Sequence, residues 1–228
     1  MNRGYLVFIP DMFYTTGQNG KGILATISSA VKFLSQFSWV DVQRMGLQGH
    51  SFGGYETNYL ITHTNLFAAA QEIAGQSNLV SGYGWITPSS GSSRHILYEK
   101  AQGNLPCPPW DCPNLYVENT PIFKIGDVTT PLMMVHNKND NAVPFYQAIE
   151  FFTGLRRAKK KAWLVEYDNE GHLVMDANNR EDLTIRTQQF FDHYLKGAKP
   201  PIWMTEGLAT KYKEVKSGLQ LDSLNRIP

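Results

Sequence analysis

The chain has 228 residues, 21 of them basic and 20 acidic, for a net charge of +1; 42% are hydrophobic and 18% charged. That length supports one large domain with a substantial core, and so even a charge balance gives no electrostatic footprint for nucleic acid or an anionic membrane. No apolar run approaches the ~20 residues needed to span a bilayer, and the N-terminal apolar run is too short for a signal peptide, so the sequence predicts a soluble chain and leaves its localisation open.

In chain order, Tyr5–Ile9 is a short apolar and aromatic run ended by Pro10, which predicts a buried strand. Residues 11–22 hold three glycines with Thr and Asn and read as a loop. Apolar residues at 23, 24, 27, 31, 34 and 37 recur with a helical period over Ile23–Phe37. Residues 41–48 lead through the apolar run Met45–Leu47 into Gly49-His50-Ser51-Phe52-Gly53, and Glu56–His63 has helical character. Leu66–Ile73 predicts another strand. Residues 76–128 form an irregular excursion rich in Gly, Ser, Pro, Tyr and Trp, with one expected helix near Arg94–Gln102. A long excursion inside one domain is usually functional or disordered, and the aromatics Tyr83, Trp85, Tyr98, Trp110 and Tyr116 argue against disorder. Cys107 and Cys112 sit in its Pro-rich part, where a small disulfide ring and two free thiols are both compatible with the spacing. Neither has the context of a metal site, and no metal or cofactor is implied.

Regular pattern returns with Pro131–His136 (strand), Phe145–Arg157 (helix), Ala162–Tyr167 (strand) and Glu181–Lys196 (helix), the last stopped by Gly197 with Pro200 and Pro201 behind it. The cationic cluster Arg156, Arg157, Lys159, Lys160 and Lys161 falls at a helix end, where cations oppose the dipole. Strands alternating with helices predict an α/β fold with a mainly parallel sheet covered on both faces. Residues 1–200 are read as one domain and 201–228 as a C-terminal tail.

Strand, G-x-S-x-G, then helix is the setting of a nucleophile elbow, a tight turn that lifts a serine hydroxyl clear of the sheet. A serine is a weak nucleophile until a base takes its proton, and that base needs an orienting carboxylate. In open α/β sheets such groups lie on loops past the C-terminal ends of strands. Of six histidines only His172 directly follows a strand; His50 adjoins the serine and is expected to point away, and His136 lies within a strand. Asp140 follows the strand Pro131–His136, Asp127 precedes it, and Asp168 is the rival on the His172 loop. Ser51, Asp140 and His172 come in the chain order of an α/β-hydrolase triad. Ser51 would attack, His172 would carry the proton, and Asp140 would hold the imidazole.

Gly49-His50-Ser51-Phe52-Gly53-Gly54-Tyr55, then Pro131–Pro144 with His136 and Asp140, then Glu170-Gly171-His172, resemble the catalytic domain of the prolyl oligopeptidase family of serine peptidases. The resemblance runs from about residue 3 to 208, and by position it too assigns Ser51, Asp140 and His172 as nucleophile, acid and base. Asn137 stands where the family usually has Gly, a departure that the tolerance of Asn for left-handed backbone would ease. An oxyanion hole needs two donors. The Phe52 amide would be one; in the family the other resembles a tyrosine hydroxyl on a loop ahead of the first strand found here. That loop, one strand between Tyr5–Ile9 and the elbow strand, and the family's β-propeller have no counterpart in these residues. An upstream domain or second subunit completing the sheet and the oxyanion hole is therefore one expectation. The resemblance also implies a substrate pocket near Phe52, Tyr83 and Val143. It implies cleavage of short peptides through an acyl-enzyme, weak for this chain alone. A carboxylesterase on the same fold and a non-catalytic fragment or subunit are the alternatives.

Overall fold

Four short runs pair edge to edge in the computed structural model, which describes residues 3–208, 216–224 and 226. In chain order the elements are α1 (Asn19–Leu34), β1 (Gly46–His50), α2 (Phe52–His63), β2 (Ala69–Ile73), α3 (Leu79–Tyr83), α4 (His95–Lys100) and α5 (Pro113–Glu118). There follow β3 (Leu132–Val135), α6 (Tyr146–Arg157), β4 (Ala162–Val165), α7 (Ala177–Lys196) and α8 (Ile202–Thr205). The strands run in the order β1-β2-β3-β4, each pair parallel, with Gly46 opposite Ala69, Ala70 opposite Leu132, and Leu132 opposite Ala162. Parallel neighbours require long crossovers, and here each crossover contains helix.

Period-two alternation divides β3 between two cores. Leu132 and Met134 pack with Ile61 of α2 and with Phe151 and Leu155 of α6. Met133 and Val135 pack with Phe190 of α7 and with Trp203 and Met204 of α8. All four β3 residues are fully buried, as expected for a central strand covered on both faces. Each such side chain contributes roughly 1.5–3 kcal/mol of burial. The helix ends follow local chemistry: Asp176 caps α7 by accepting from the amides of Asn178 and Asn179, and Gly197 stops it in the left-handed region at φ 70°. Among the described residues no helix is long and apolar enough to cross a membrane.

Four expectations are corrected. Tyr5–Ile9 is no strand: Leu6 is 71% and Ile9 86% exposed, and no ladder bond reaches the segment. No strand lies between it and β1, so its apolar row has nothing to pack on. Its start is held, where the Tyr5 hydroxyl donates to Asp192 over 2.7 Å and Lys196 sits over the Tyr5 ring. Helix α1 begins at Asn19, inside the expected loop, because the Asn19 side chain donates to the carbonyls of Gln102 and Gly103 and the Gly20 amide donates to Asn119. The excursion is more regular than expected: besides α4, which lies in the expected stretch, it holds α3 and α5, joined by a core of Tyr55, Tyr83, Tyr98 and Tyr116, and Cys107 is bonded to Cys112. Finally, the stretch after Pro200 does not trail away. Trp203 and Met204 are buried, and Pro201 bridges to Leu221; residues 209–215 of the expected tail lie outside the described residues.

Candidate active site

Strand β1 ends at His50, and α2 starts two residues later. Ser51, between them, has φ 59° and ψ −116°, a costly conformation for a residue with a side chain. Its amide donates to Ile73 O over 2.8 Å, tying the turn to β2. Gly49 and Gly54 tolerate nothing larger than glycine, whereas a Cβ on Gly53 would meet only Glu56 Oε2, at 3.8 Å. A Cβ on Gly49 would stand 1.9 Å from the Gly53 carbonyl oxygen, and one on Gly54 would stand 2.7 Å from Gly75 Cα. Phe52 opens α2, so its amide is one of the unpaired donors at a helix N-terminus.

Two loops from the C-terminal ends of β3 and β4 meet this turn. Nε2 of His172 receives the Ser51 hydroxyl over 2.9 Å, and its Nδ1 donates to Asp140 Oδ2 over 2.8 Å. The rival Asp168 is exposed, and the imidazole is bonded to Asp140 instead. The Asp140 side chain is fully buried. Its Oδ1 accepts from the amides of Ala142 and Val143 at 2.7 and 2.8 Å, and its Oδ2 also faces Nε2 of His136 at 3.3 Å. Burial works to raise the Asp140 carboxyl, but the bonds from His136, His172 and the two amides together hold it well below the usual range. Burial pushes His136 down, and its bond to Asp140 and the charge of Glu72 more than reverse that.

Three residues that sequence reasoning passed over support this arrangement. His50, expected to point away, donates to the His172 carbonyl over 3.0 Å and lays its ring 4.7 Å from the His172 ring. His136 directly follows β3 and faces Asp140 four residues on; the i, i+4 spacing was the available signal. Glu170 accepts from the Met175 and Asp176 amides and from the Asn179 side chain, which fixes the loop just before His172. Asn137 is not in left-handed backbone, so the expected reason for its tolerance is corrected. Its side chain instead clamps the two loops, donating to Gly171 O over 2.9 Å and accepting from the Tyr167 amide over 3.0 Å. Glycine could make neither bond.

A cavity of ≈100 Å³ opens at Ser51, walled by Phe52, Ala142, Val143 and Arg94 among others. Phe52 and Val143 thus lie where a pocket wall was expected. Tyr83 does not: it is 5% exposed in the tyrosine core, its hydroxyl bonded to Glu99 over 2.6 Å. Arg94 is a wall residue that no motif marked. Among the described residues no group of three or more His, Cys, Asp or Glu side chains could hold a metal ion.

The model of the prolyl oligopeptidase family matches residues 2–198. The chain belongs to the prolyl oligopeptidase family. Within this family it is 26% identical over 160 residues to the uncharacterized peptidase YuxL of Bacillus subtilis, a match covering 68% of this chain and 22% of that protein. It is 26% identical over 212 residues to dipeptidyl peptidase family member 6 of Caenorhabditis elegans, covering 88% of this chain and 28% of that one. The chain therefore spans about a quarter of the curated relatives it matches. Among solved structures, the acylaminoacyl peptidase of Pyrococcus horikoshii superposes with a TM-score of 0.68 at 23% identity, covering 88% of this chain and 30% of that one. A puromycin-hydrolyzing peptidase of Mycobacterium tuberculosis gives 0.71 at 23% identity, covering 81% and 27%. The sheet and its helices are thus an α/β-hydrolase domain of the prolyl oligopeptidase family.

Proposed function

We propose that this domain is a serine peptidase that cleaves short peptides through an acyl-enzyme. The observation carrying the reading is the unbroken hydrogen-bond chain from Ser51 through His172 to Asp140, with the serine on a strained turn. Ser51 Oγ attacks the scissile carbonyl carbon while His172 Nε2 takes its proton. Asp140 keeps the imidazole in the tautomer that accepts at Nε2 and stabilises the imidazolium. Collapse of the tetrahedral adduct breaks the C–N bond, and His172 passes the proton to the departing amine. Water then adds to the acyl carbon, His172 takes a proton from it, and cleavage of the acyl–oxygen bond returns Ser51 to its hydroxyl form.

The Phe52 amide supplies one oxyanion donor. The outer edge of β1 has no neighbour among the described residues, and Leu6–Ile9 stand exposed. A further segment, from the same polypeptide or from a second subunit, fills that space and brings the second donor. Without it turnover falls by roughly 10²–10³.

Aminoacyl-nitroanilides and short acyl esters separate this reading from an esterase. The account expects slow, Ser51-dependent nitroanilide hydrolysis, with Asp140→Asn lowering kcat by about 10⁴. Turnover of esters alone would assign the domain to carboxylester hydrolysis, and turnover that survives Ser51→Ala would remove the assignment altogether.

A further inference from the structure

The cavity at Ser51 is lined by a cation, Arg94, that pairs with no acid among the described residues. Arg94 is half-buried at the head of α4, its Nη2 donates to Asn141 O over 2.7 Å, and its guanidinium lies 5.1 Å from the Trp85 ring centre. Its Nε is buried without a hydrogen-bond partner. Among the described residues no Asp or Glu forms an ion pair with it, whereas Lys21, Lys138 and Arg186 each have one. The acids nearby in the same part of the fold are engaged elsewhere: Glu99 accepts from the Tyr83 hydroxyl, and Glu150 from Asn78 and Ser81. A guanidinium drawn partly out of water without a carboxylate is costly, and Arg is the side chain best shaped to receive one in two parallel bonds.

Position gives this cation a role in substrate choice. Asn141 neighbours Asp140, so the bond from Arg94 ties the guanidinium to the loop that carries the triad acid and Val143. The same cavity is lined by Ser51, by the apolar residues Phe52, Leu97 and Val143, and by Gln76 and Gln102. An acidic side chain suits that mixture: methylenes against Phe52, Leu97 and Val143, and a carboxylate on Arg94 with amide donors at hand. An apolar side chain would leave the guanidinium unpaired, and a basic one would be repelled.

We propose that this cavity is a carboxylate-binding subsite, and that the carboxylate is the side chain of an Asp or Glu whose carbonyl Ser51 attacks. The proposal rests on the peptidase reading, so its test needs an arm that works without turnover. In the first arm kcat/KM is compared for N-acetyl-Glu-nitroanilide and N-acetyl-Gln-nitroanilide, which differ in charge and hardly in shape. The Glu substrate is expected to be better by roughly 10–100-fold, the range of a charge-assisted hydrogen bond. The ratio falls to near one in Arg94→Gln and is partly kept in Arg94→Lys, with both variants checked for folding by thermal melting. In the second arm calorimetry measures binding of N-acetyl-Glu-amide and N-acetyl-Gln-amide to Ser51→Ala. Preference for Glu there without any hydrolysis by the native chain upholds the subsite and removes the peptidase reading. Equal treatment of Glu and Gln in both arms, or a preference that persists in Arg94→Gln, overturns the proposal. An Arg94-dependent preference for peptides with a free over an amidated C-terminus, with none for Glu, also overturns it, since the carboxylate would then be the substrate's own end.

Discussion

Asp140 is met by three donors, two backbone amides and the His172 imidazole, and Nε2 of His136, which donates to Val143 O over 2.9 Å, stands 3.3 Å from it. Beneath it lies a less satisfied pair. Glu72 is fully buried in β2, bonded at Oε2 to the Gly75 amide, while its Oε1 and the Nδ1 of His136 are both buried without partners. Burial raises the Glu72 carboxyl to about 7, against the lesser pull of His136 and the Gly75 amide. The folded state therefore favours the protonated form. The stability this carboxyl contributes is complete below its ordinary value of 4.5 and is lost as pH rises through about 7. Glu72→Gln, which keeps an acceptor for Gly75 and cannot ionise, should gain on the native chain between pH 5 and 8 by on the order of 3 kcal/mol. Urea midpoints at the two pH values check this, and a difference that is flat with pH would contradict it. Asp140 acts in the opposite sense, its contribution present above ordinary carboxylate pH and lost on acidification, so it does not disturb that window. The meeting of Ser51, Asp140 and His172 was legible in the sequence because each follows a strand, and parallel strands put those ends together. The contacts of His50, His136 and Arg94 were not, since they depend on how two loops and the head of α4 pack in three dimensions.

At the scale of elements, α2 lies against β2 with almost no space between backbones. A Cβ on Gly54 would meet Gly75 Cα at 2.7 Å, Ile73 O at 2.9 Å and Gly75 N at 3.0 Å, all of them main-chain atoms that cannot swing away. Gly54→Ala should therefore lower stability by about 1–3 kcal/mol, the usual cost of forcing a methyl into a packed contact. It should also slow the enzyme, because the displaced helix carries the Phe52 amide. A variant with native stability and native turnover would show that the contact relaxes freely. Most elements could be read from the sequence because apolar periodicity reports burial: α6, β3 and β4 fall within the expected stretches, and α7 ends where expected but starts four residues earlier, at Ala177. Tyr5–Ile9 shows where that reasoning fails. Apolar residues make a buried strand only when a neighbour offers both ladder bonds and a covering surface, and neither is there. In the excursion α4 falls inside the expected stretch near Arg94–Gln102, but α3 and α5 were hidden for another reason: they are only five and six residues long, too short to display a period, and tertiary contacts among tyrosines hold them.

Across the whole molecule, the sheet brings the ends of β1, β3 and β4 together, and the three crossovers leave the elbow, the acid loop and the histidine loop on one side. Membership of the prolyl oligopeptidase family and the likeness to α/β-hydrolase domains agree with that layout, although this chain spans only about a quarter of the curated relatives it matches. The outer edge of β1 has no neighbouring strand among the described residues, and the apolar row at Leu6–Ile9 stands exposed. An incomplete oxyanion site would slow turnover, yet it would not by itself prevent an activated serine from reacting. The most direct measurement is therefore covalent capture: intact mass after exposure to a fluorophosphonate, followed by peptide mapping. The account predicts one phosphonyl adduct per chain, on Ser51, absent in Ser51→Ala and formed far more slowly in His172→Ala. No adduct under conditions where the native fold persists, or an adduct that ignores both substitutions, would contradict it.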